Sequence, residues 1–186
     1  MILYKLTTED YKTRDNTIWS IGAVLEKPIS DRPELCSSDV FHIYKSVPLA
    51  LLLNPVHACI DTPRLLECEG DICVSSWDKV GAFKLKVVRE LPLPDWYRDN
   101  RVSVCKEFSR LCSQEAGKIT GRVSQWETAN AWVSKEDCIK RSAWMAEAVE
   151  RTFKQLIEKG NKRIEVKINF EQLALEAIAS IAFRQG

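Results

Sequence analysis

The side chains best suited to proton transfer near neutral pH are the two histidines, His42 and His57. His57 stands in Asn54-Pro55-Val56-His57-Ala58-Cys59-Ile60-Asp61, after a helix and before a turn. As a general base it needs an orienting carboxylate, which Asp61 or Glu69 could supply; its simpler use is to fix a loop through hydrogen bonds. His42 lies on a strand, Phe41-His42-Ile43-Tyr44, where a half-buried structural role suffices. Glu67 and Glu69 are two apart on another strand and so share a face. Such a pair can do acid–base work or hold a metal, but it also describes the wet face of a sheet. Arg64, Lys84, Lys86 and Arg89 could answer those carboxylates across strands.

Seven cysteines stand at positions 36, 59, 68, 73, 105, 112 and 138, with no C-x-x-C pair among them. The odd number and the length of the chain argue against a disulfide scaffold, so most read as small buried apolar residues kept reduced. His57, Cys59, Cys68 and Cys73 are acceptable zinc ligands by type, but their spacing matches no structural zinc pattern. The sequence also lacks a G-x-G-x-x-G, a Walker A lysine loop, a nucleophile elbow and an H-E-x-x-H. No metal or cofactor is expected.

These residues belong to a chain of 186, enough for one ample domain or a compact domain with a helical extension. Hydrophobic residues are 45% and charged residues 28%, ordinary for a folded protein. Twenty-seven Lys and Arg against 26 Asp and Glu leave a net charge of +1, which weakens the case for nucleic-acid binding. No apolar run reaches the ~18–20 residues that cross a bilayer. The opening, Met1-Ile2-Leu3-Tyr4-Lys5, lacks the basic-then-apolar order of a signal peptide, so a cytoplasmic protein is expected.

All seven prolines lie between Pro28 and Pro94, whereas four alanines precede residue 95 and ten follow it. Proline breaks helices and alanine favours them, which predicts a mixed N-terminal domain, 1–94, and a helical region, 95–186. In the first, Ile2–Thr7, Thr17–Ile21, Ala23–Glu26, Val40–Tyr44, Leu65–Glu69 and the alternating Phe83, Leu85 and Val87 read as strands. Ser46 reads as the cap of a short helix that tolerates Pro48 in its first turn and stops before Asn54-Pro55. In the second, an apolar stripe from Cys105 to Trp126 predicts one helix, and Met145, Val149, Phe153 and Leu156 mark another over 135–159. Residues 163–170 alternate with period two and read as a strand joining the N-terminal sheet. Asn169, with Gln172 in the capping-box position, opens a last, strongly apolar helix. The predicted class is α+β: a small, mostly antiparallel sheet with one short helix, then a packed helical region.

Six tryptophans are many for this length. Trp126, Trp132 and Trp144 fall in the helical region, where an exposed indole would anchor a protein partner.

From Leu3 to Pro94 the sequence resembles a family of uncharacterised phage, prophage and bacterial accessory proteins. The resemblance rests on Thr17-Ile18-Trp19-Ser20-Ile21-Gly22, Glu34-Leu35-Cys36, Phe41-His42-Ile43-Tyr44 and Leu52-Leu53-Asn54-Pro55-Val56-His57-Ala58. It continues through Pro63-Arg64-Leu65, Glu69-Gly70, Lys79-Val80-Gly81 and Val88-Arg89-Glu90-Leu91-Pro92-Leu93-Pro94, and on into a helical tail rich in tryptophan. It implies a mobile-element setting and brings no established chemistry with it. The leading expectation is therefore a non-enzymatic accessory protein that binds a host protein or protein complex in the host cytoplasm. An inhibitor of host defence, such as an anti-CRISPR, is one form of it. A second reading is a small ADP-ribosyltransferase-like or other nucleotide-handling enzyme using His42, Tyr44, His57 and Glu67 or Glu69 in one cleft. A third is a self-associating, immunity-type protein, a homodimer joined through the last helix or the 163–170 strand.

Overall fold

A computed structural model of the protein describes residues 1–13, 15–35, 37–120, 135–158 and 168–184. It is α+β, with seven short strands followed, after one early helix, by a helical half. Two compact units divide between Pro94 and Asp95.

In the first unit the strands are β1 (Ile2–Thr7), β2 (Val24–Glu26), β3 (Phe41–Ile43), β4 (Arg64–Gly70), β5 (Val74–Ser75), β6 (Val80–Ala82) and β7 (Lys84–Leu91). They form two antiparallel sheets, one ordered β1-β4-β7-β2 and the other β3-β6-β5. The predicted single sheet is thus divided, with a lone Tyr4–Tyr44 bridge between β1 and the residue just after β3. Leu3 pairs with Cys68 and Lys5 with Leu66, while Cys68 pairs with Val87 across β4 and β7. The alternation of strands then gathers Leu3, Leu66, Cys68, Leu85 and Val87 with Phe41, Ile43, Val80 and Ala82 in one apolar core around Trp19. Gly81 is a close-packing point in that core: a Cβ there would lie 2.7 Å from side-chain carbons of Val40 and Val74.

Helix α1 (Val47–Leu53) has Pro48 in its first turn and packs against β1. Ser46 precedes it in extended conformation, but its hydroxyl makes no cap bond. Thr17–Ile21, read as a strand, contributes only the bridge between Ile18 and Lys12. The reason lies in the preceding loop, where Asp15 accepts hydrogen bonds from the hydroxyls of Thr13 and Thr17 and ties the chain into a local turn.

The second unit holds α2 (Asp95–Asp99), α3 (Arg101–Thr120), α4 (Lys135–Glu158) and α5 (Phe170–Phe183). The five-residue α2 has no counterpart in the expectations from sequence. Helix α3 packs against both α4 and α5, and its apolar face buries Val104, Cys105, Phe108 and Cys112. Asn169 caps α5 by accepting from the Gln172 amide at 3.1 Å, whereas the Gln172 side chain bonds Glu176 in place of closing a capping box. Of the predicted strand over 163–170, residues 163–167 lie outside the described residues, and Phe170 already belongs to α5. Among the described residues no helix is long and apolar enough to cross a membrane.

Candidate ligand-binding cleft

Leu3, Lys5 and Thr7 share one face of β1, because side chains alternate along a strand. Leu3 enters the core, so Lys5 is a charged residue on an inward-facing strand position. Its ammonium lies over the Trp19 indole, 4.7 Å from the ring centroid. The nitrogen donates to the backbone oxygen of His42 at 2.7 Å, using one of the three donors an ammonium carries. It makes no ion pair with any described carboxylate, and it faces an open cleft of about 1430 Å³ in the first unit.

Three more lysines line this cleft: Lys12, which pairs with Asp10, and Lys27 and Lys79. Lys27 follows β2, donates to the backbone oxygen of Ser38 and lies 5.0 Å from the centroid of Phe41. Lys79 precedes β6. Burial pulls the Lys5 ammonium down to about 8; Asp15 offsets that in part, while Lys27 and Lys79 add to it. His42 responds to the same surroundings. Burial first, then Lys5, Lys79 and Lys27, hold its imidazole at about 4, so it is neutral at pH 7.

Acidic groups also border the cleft, but two are already engaged. Asp10 pairs with Lys12 at 2.5 Å. Asp15 is satisfied by Thr13 and Thr17: burial alone would raise its carboxyl, and those hydrogen bonds outweigh it, bringing it to about 2. The same loop is anchored by the Trp19 indole, which donates to the Thr13 hydroxyl at 3.1 Å.

A second wall carries Tyr44 and His57, whose rings stack with centroids 6.1 Å apart. The Tyr44 hydroxyl is 3.2 Å from His57 Nδ1, and His57 Nε2 is 3.3 Å from an Asp78 carboxylate oxygen. A neutral imidazole that donates from Nε2 to Asp78 presents Nδ1 as the acceptor for the phenol. Burial, and secondly the Asp78 charge, push the Tyr44 phenol well above its usual range, so it serves as a neutral donor. Asn54 holds the loop that carries His57: its side chain donates to the Ile60 carbonyl at 2.7 Å and accepts from the Ile60 amide at 3.1 Å. That grip lets Cys59 take a φ of 55°.

Of the residues singled out from sequence, His42, Tyr44 and His57 therefore share one cleft. Glu67 and Glu69 lie outside it on β4. Glu67, a half-buried carboxylate, pairs across strands with Arg89 at 2.9 Å, and Glu69 stands opposite Lys86 in the register. The carboxylate that orients His57 is Asp78, not Asp61 or Glu69. Trp144 is 66% exposed on α4; Trp126 and Trp132 lie outside the described residues. His57, Cys59, Cys68 and Cys73 do not assemble as a metal site: Cys68 is buried in the core, and the Cys73 thiol donates to the Gly81 carbonyl. Among the described residues no three His, Cys, Asp or Glu side chains converge on a metal position.

Sequence reasoning passed over Lys5, Lys27, Lys79 and Asp78. Lys27, Lys79 and Asp78 acquire their setting only through the tertiary fold. Lys5 left a trace, as a lysine between Leu3 and Thr7 on one face of a strand whose other face carries Tyr4 and Leu6. No protein-family model, curated protein or solved structure matches the chain.

Proposed function

We propose that the N-terminal unit binds a small anionic ligand carrying phosphate, of the nucleotide class, in the cleft between Lys5 and His57. The observation that carries this reading is the Lys5 ammonium: it sits on a core-facing strand position beside Trp19, and Lys27 and Lys79 line the same cleft. Placing like charges together at a partly desolvated site costs stability, and an anion is what offsets that cost. The cleft is larger than the ~300–1,000 Å³ usual for small-molecule sites, so a nucleotide fits within part of it. Tyr44, held in its neutral form, and the neutral His42 line the same cleft without adding charge. Calorimetric titration of the protein with ADP, ATP and pyrophosphate tests it. Saturable binding that weakens as salt rises, and that falls at least tenfold in a Lys27→Glu, Lys79→Glu double variant, supports the reading. Absence of saturable binding at millimolar concentrations for all three rejects it.

A second reading, that of a phage-type accessory protein docking on a host protein, concerns the helical unit and is compatible with the first. It is favoured by the exposed indole of Trp144, a residue type that anchors protein interfaces. Capture of one bacterial protein by the wild type, lost in a folded Trp144→Ala variant, is the outcome that supports it. Equal capture by both proteins removes Trp144 as the anchor.

A further inference from the structure

We propose that Tyr44 is a nucleophile that attacks the phosphorus of a phosphate ester or anhydride held in the cleft, with His57 as its base and Asp78 positioning that base. This rests on the anion-binding reading of the same cleft and adds a reaction to it. Three side chains stand in line. The Tyr44 hydroxyl lies 3.2 Å from His57 Nδ1, and His57 Nε2 lies 3.3 Å from the Asp78 carboxylate. A hydroxyl within reach of a base that a third group orients is the arrangement that activates an oxygen nucleophile. The line has a direction: Tyr44 and His57 border the cleft and Asp78 does not, its side chain being 11% exposed. Holding the loop does not account for the imidazole and the carboxylate, because the loop has other anchors. Asn54 grips Ile60 through its side chain, and the backbone amides of His57 and Cys59 donate to the carbonyls of Leu53 and Asn54 at 3.0 and 2.6 Å. The hydroxyl also lies where a phosphate is expected. His42 and Tyr44 are two apart on extended chain, so their side chains share a face, about 7 Å apart. Lys5 donates to the His42 carbonyl, and Lys5, Lys27 and Lys79 line the same cleft as Tyr44.

The phenol stays protonated at rest, and the base removes its proton as the new bond forms. The Tyr44 oxygen bonds to phosphorus, the bond from phosphorus to the leaving oxygen breaks with its electron pair going to that oxygen, and His57 Nδ1 takes the phenolic proton. Asp78 then faces an imidazolium, whose charge it offsets. The imidazolium passes the proton to the leaving oxygen. Water next attacks the phosphotyrosine and gives a proton to His57, which returns it to the Tyr44 oxygen as that leaves. The sum is hydrolysis: one water is consumed, an alcohol or a shorter phosphate chain is released with inorganic phosphate, and all three side chains are restored. The lysines of the cleft offset the charge on the phosphoryl oxygens.

The probes are p-nitrophenyl phosphate, an ester, and ATP, an anhydride. The full chain is mixed with each at pH 7, quenched in acid, which phosphotyrosine survives, then digested and mapped by mass, while release of inorganic phosphate is followed separately. In parallel, calorimetry measures binding of imidodiphosphate, in which nitrogen replaces the bridging oxygen of pyrophosphate. The expected result is phosphate on Tyr44, and turnover, with at least one probe. Tyr44→Phe should abolish both. Asp78→Asn should lower kcat about a hundredfold with KM within about threefold, the split that separates positioning of the base from a merely structural role. Both variants should keep imidodiphosphate affinity within about threefold. Should Tyr44→Phe fail to fold, the wild-type map decides: phosphate on Tyr44 supports the proposal and its absence overturns it. Turnover that persists in a folded Tyr44→Phe variant also overturns it. Imidodiphosphate binding with no phosphate on Tyr44 overturns the nucleophile and leaves the anion site standing. No phosphotyrosine and no imidodiphosphate binding overturns both.

Discussion

Lys5→Met removes the charge while keeping an unbranched apolar stem beside Trp19. The folded protein holds the Lys5 proton near 8 against an ordinary 10.5, so the charged form is disfavoured in the fold by about 3 kcal/mol at pH 7. Methionine avoids that cost but loses the hydrogen bond to the His42 carbonyl, worth about 1 kcal/mol. The expected net effect is a variant more stable than wild type by roughly 2 kcal/mol at pH 7. The sign depends on pH. The unfolded chain binds the Lys5 proton more tightly, so between about pH 8 and 10.5 wild-type stability rises with pH and the advantage of methionine disappears. Urea unfolding of both proteins, followed by near-ultraviolet circular dichroism at pH 7 and pH 10, measures both quantities. A variant that is less stable than wild type at pH 7, or a difference that does not change with pH, refutes a costly ammonium at this position.

At acid pH, His42 is expected to make stability rise between about pH 4 and 6.5, since the unfolded chain takes up the proton that burial denies the folded one. Exposure of part of the ring limits this to roughly 2 kcal/mol, and His42→Gln should flatten that part of the pH profile. Tyr44→Phe removes the hydroxyl facing His57 and should cost about 1 kcal/mol in unfolding free energy; no change would mean the Tyr44–His57 contact is idle. Gly81→Ala forces a methyl against Val40 and Val74 and should destabilise by about 1–3 kcal/mol in the same assay.

The strands were legible where alternation and β-branched residues coincide, as in Ile2–Thr7 and Lys84–Leu91. At Thr17–Ile21 the β-branched and aromatic residues mislead, because Asp15 with its threonine partners builds a turn that residue type alone does not announce. The absence of proline after residue 94 goes with the helices described there, α2 to α5, because proline is excluded from helix interiors. The short α2, only five residues beginning at Asp95, carries too little pattern to announce itself. At the cleft, His42, Tyr44 and His57 could be named from their chemistry alone. Their carboxylate could not, because Asp78 lies 21 positions from His57 and reaches it only through the fold. Lys5 was hidden for a different reason: a lysine on a strand reads as solvated until its register places it beside Leu3, facing the core.

A partly desolvated ammonium facing the cleft is the feature on which the cleft's proposed role depends, and the titration of Lys5 itself reports on it. Carbon-13 NMR of the lysine ε-carbons, with Lys5 assigned by substitution, follows that titration in the free protein and with saturating pyrophosphate. The expected result is a midpoint near 8 in the free protein, moving upward by about one unit or more when the anion is bound. A midpoint near ~10.4, unchanged by pyrophosphate, would mean that Lys5 is an ordinary solvated lysine and that the cleft is not an anion site.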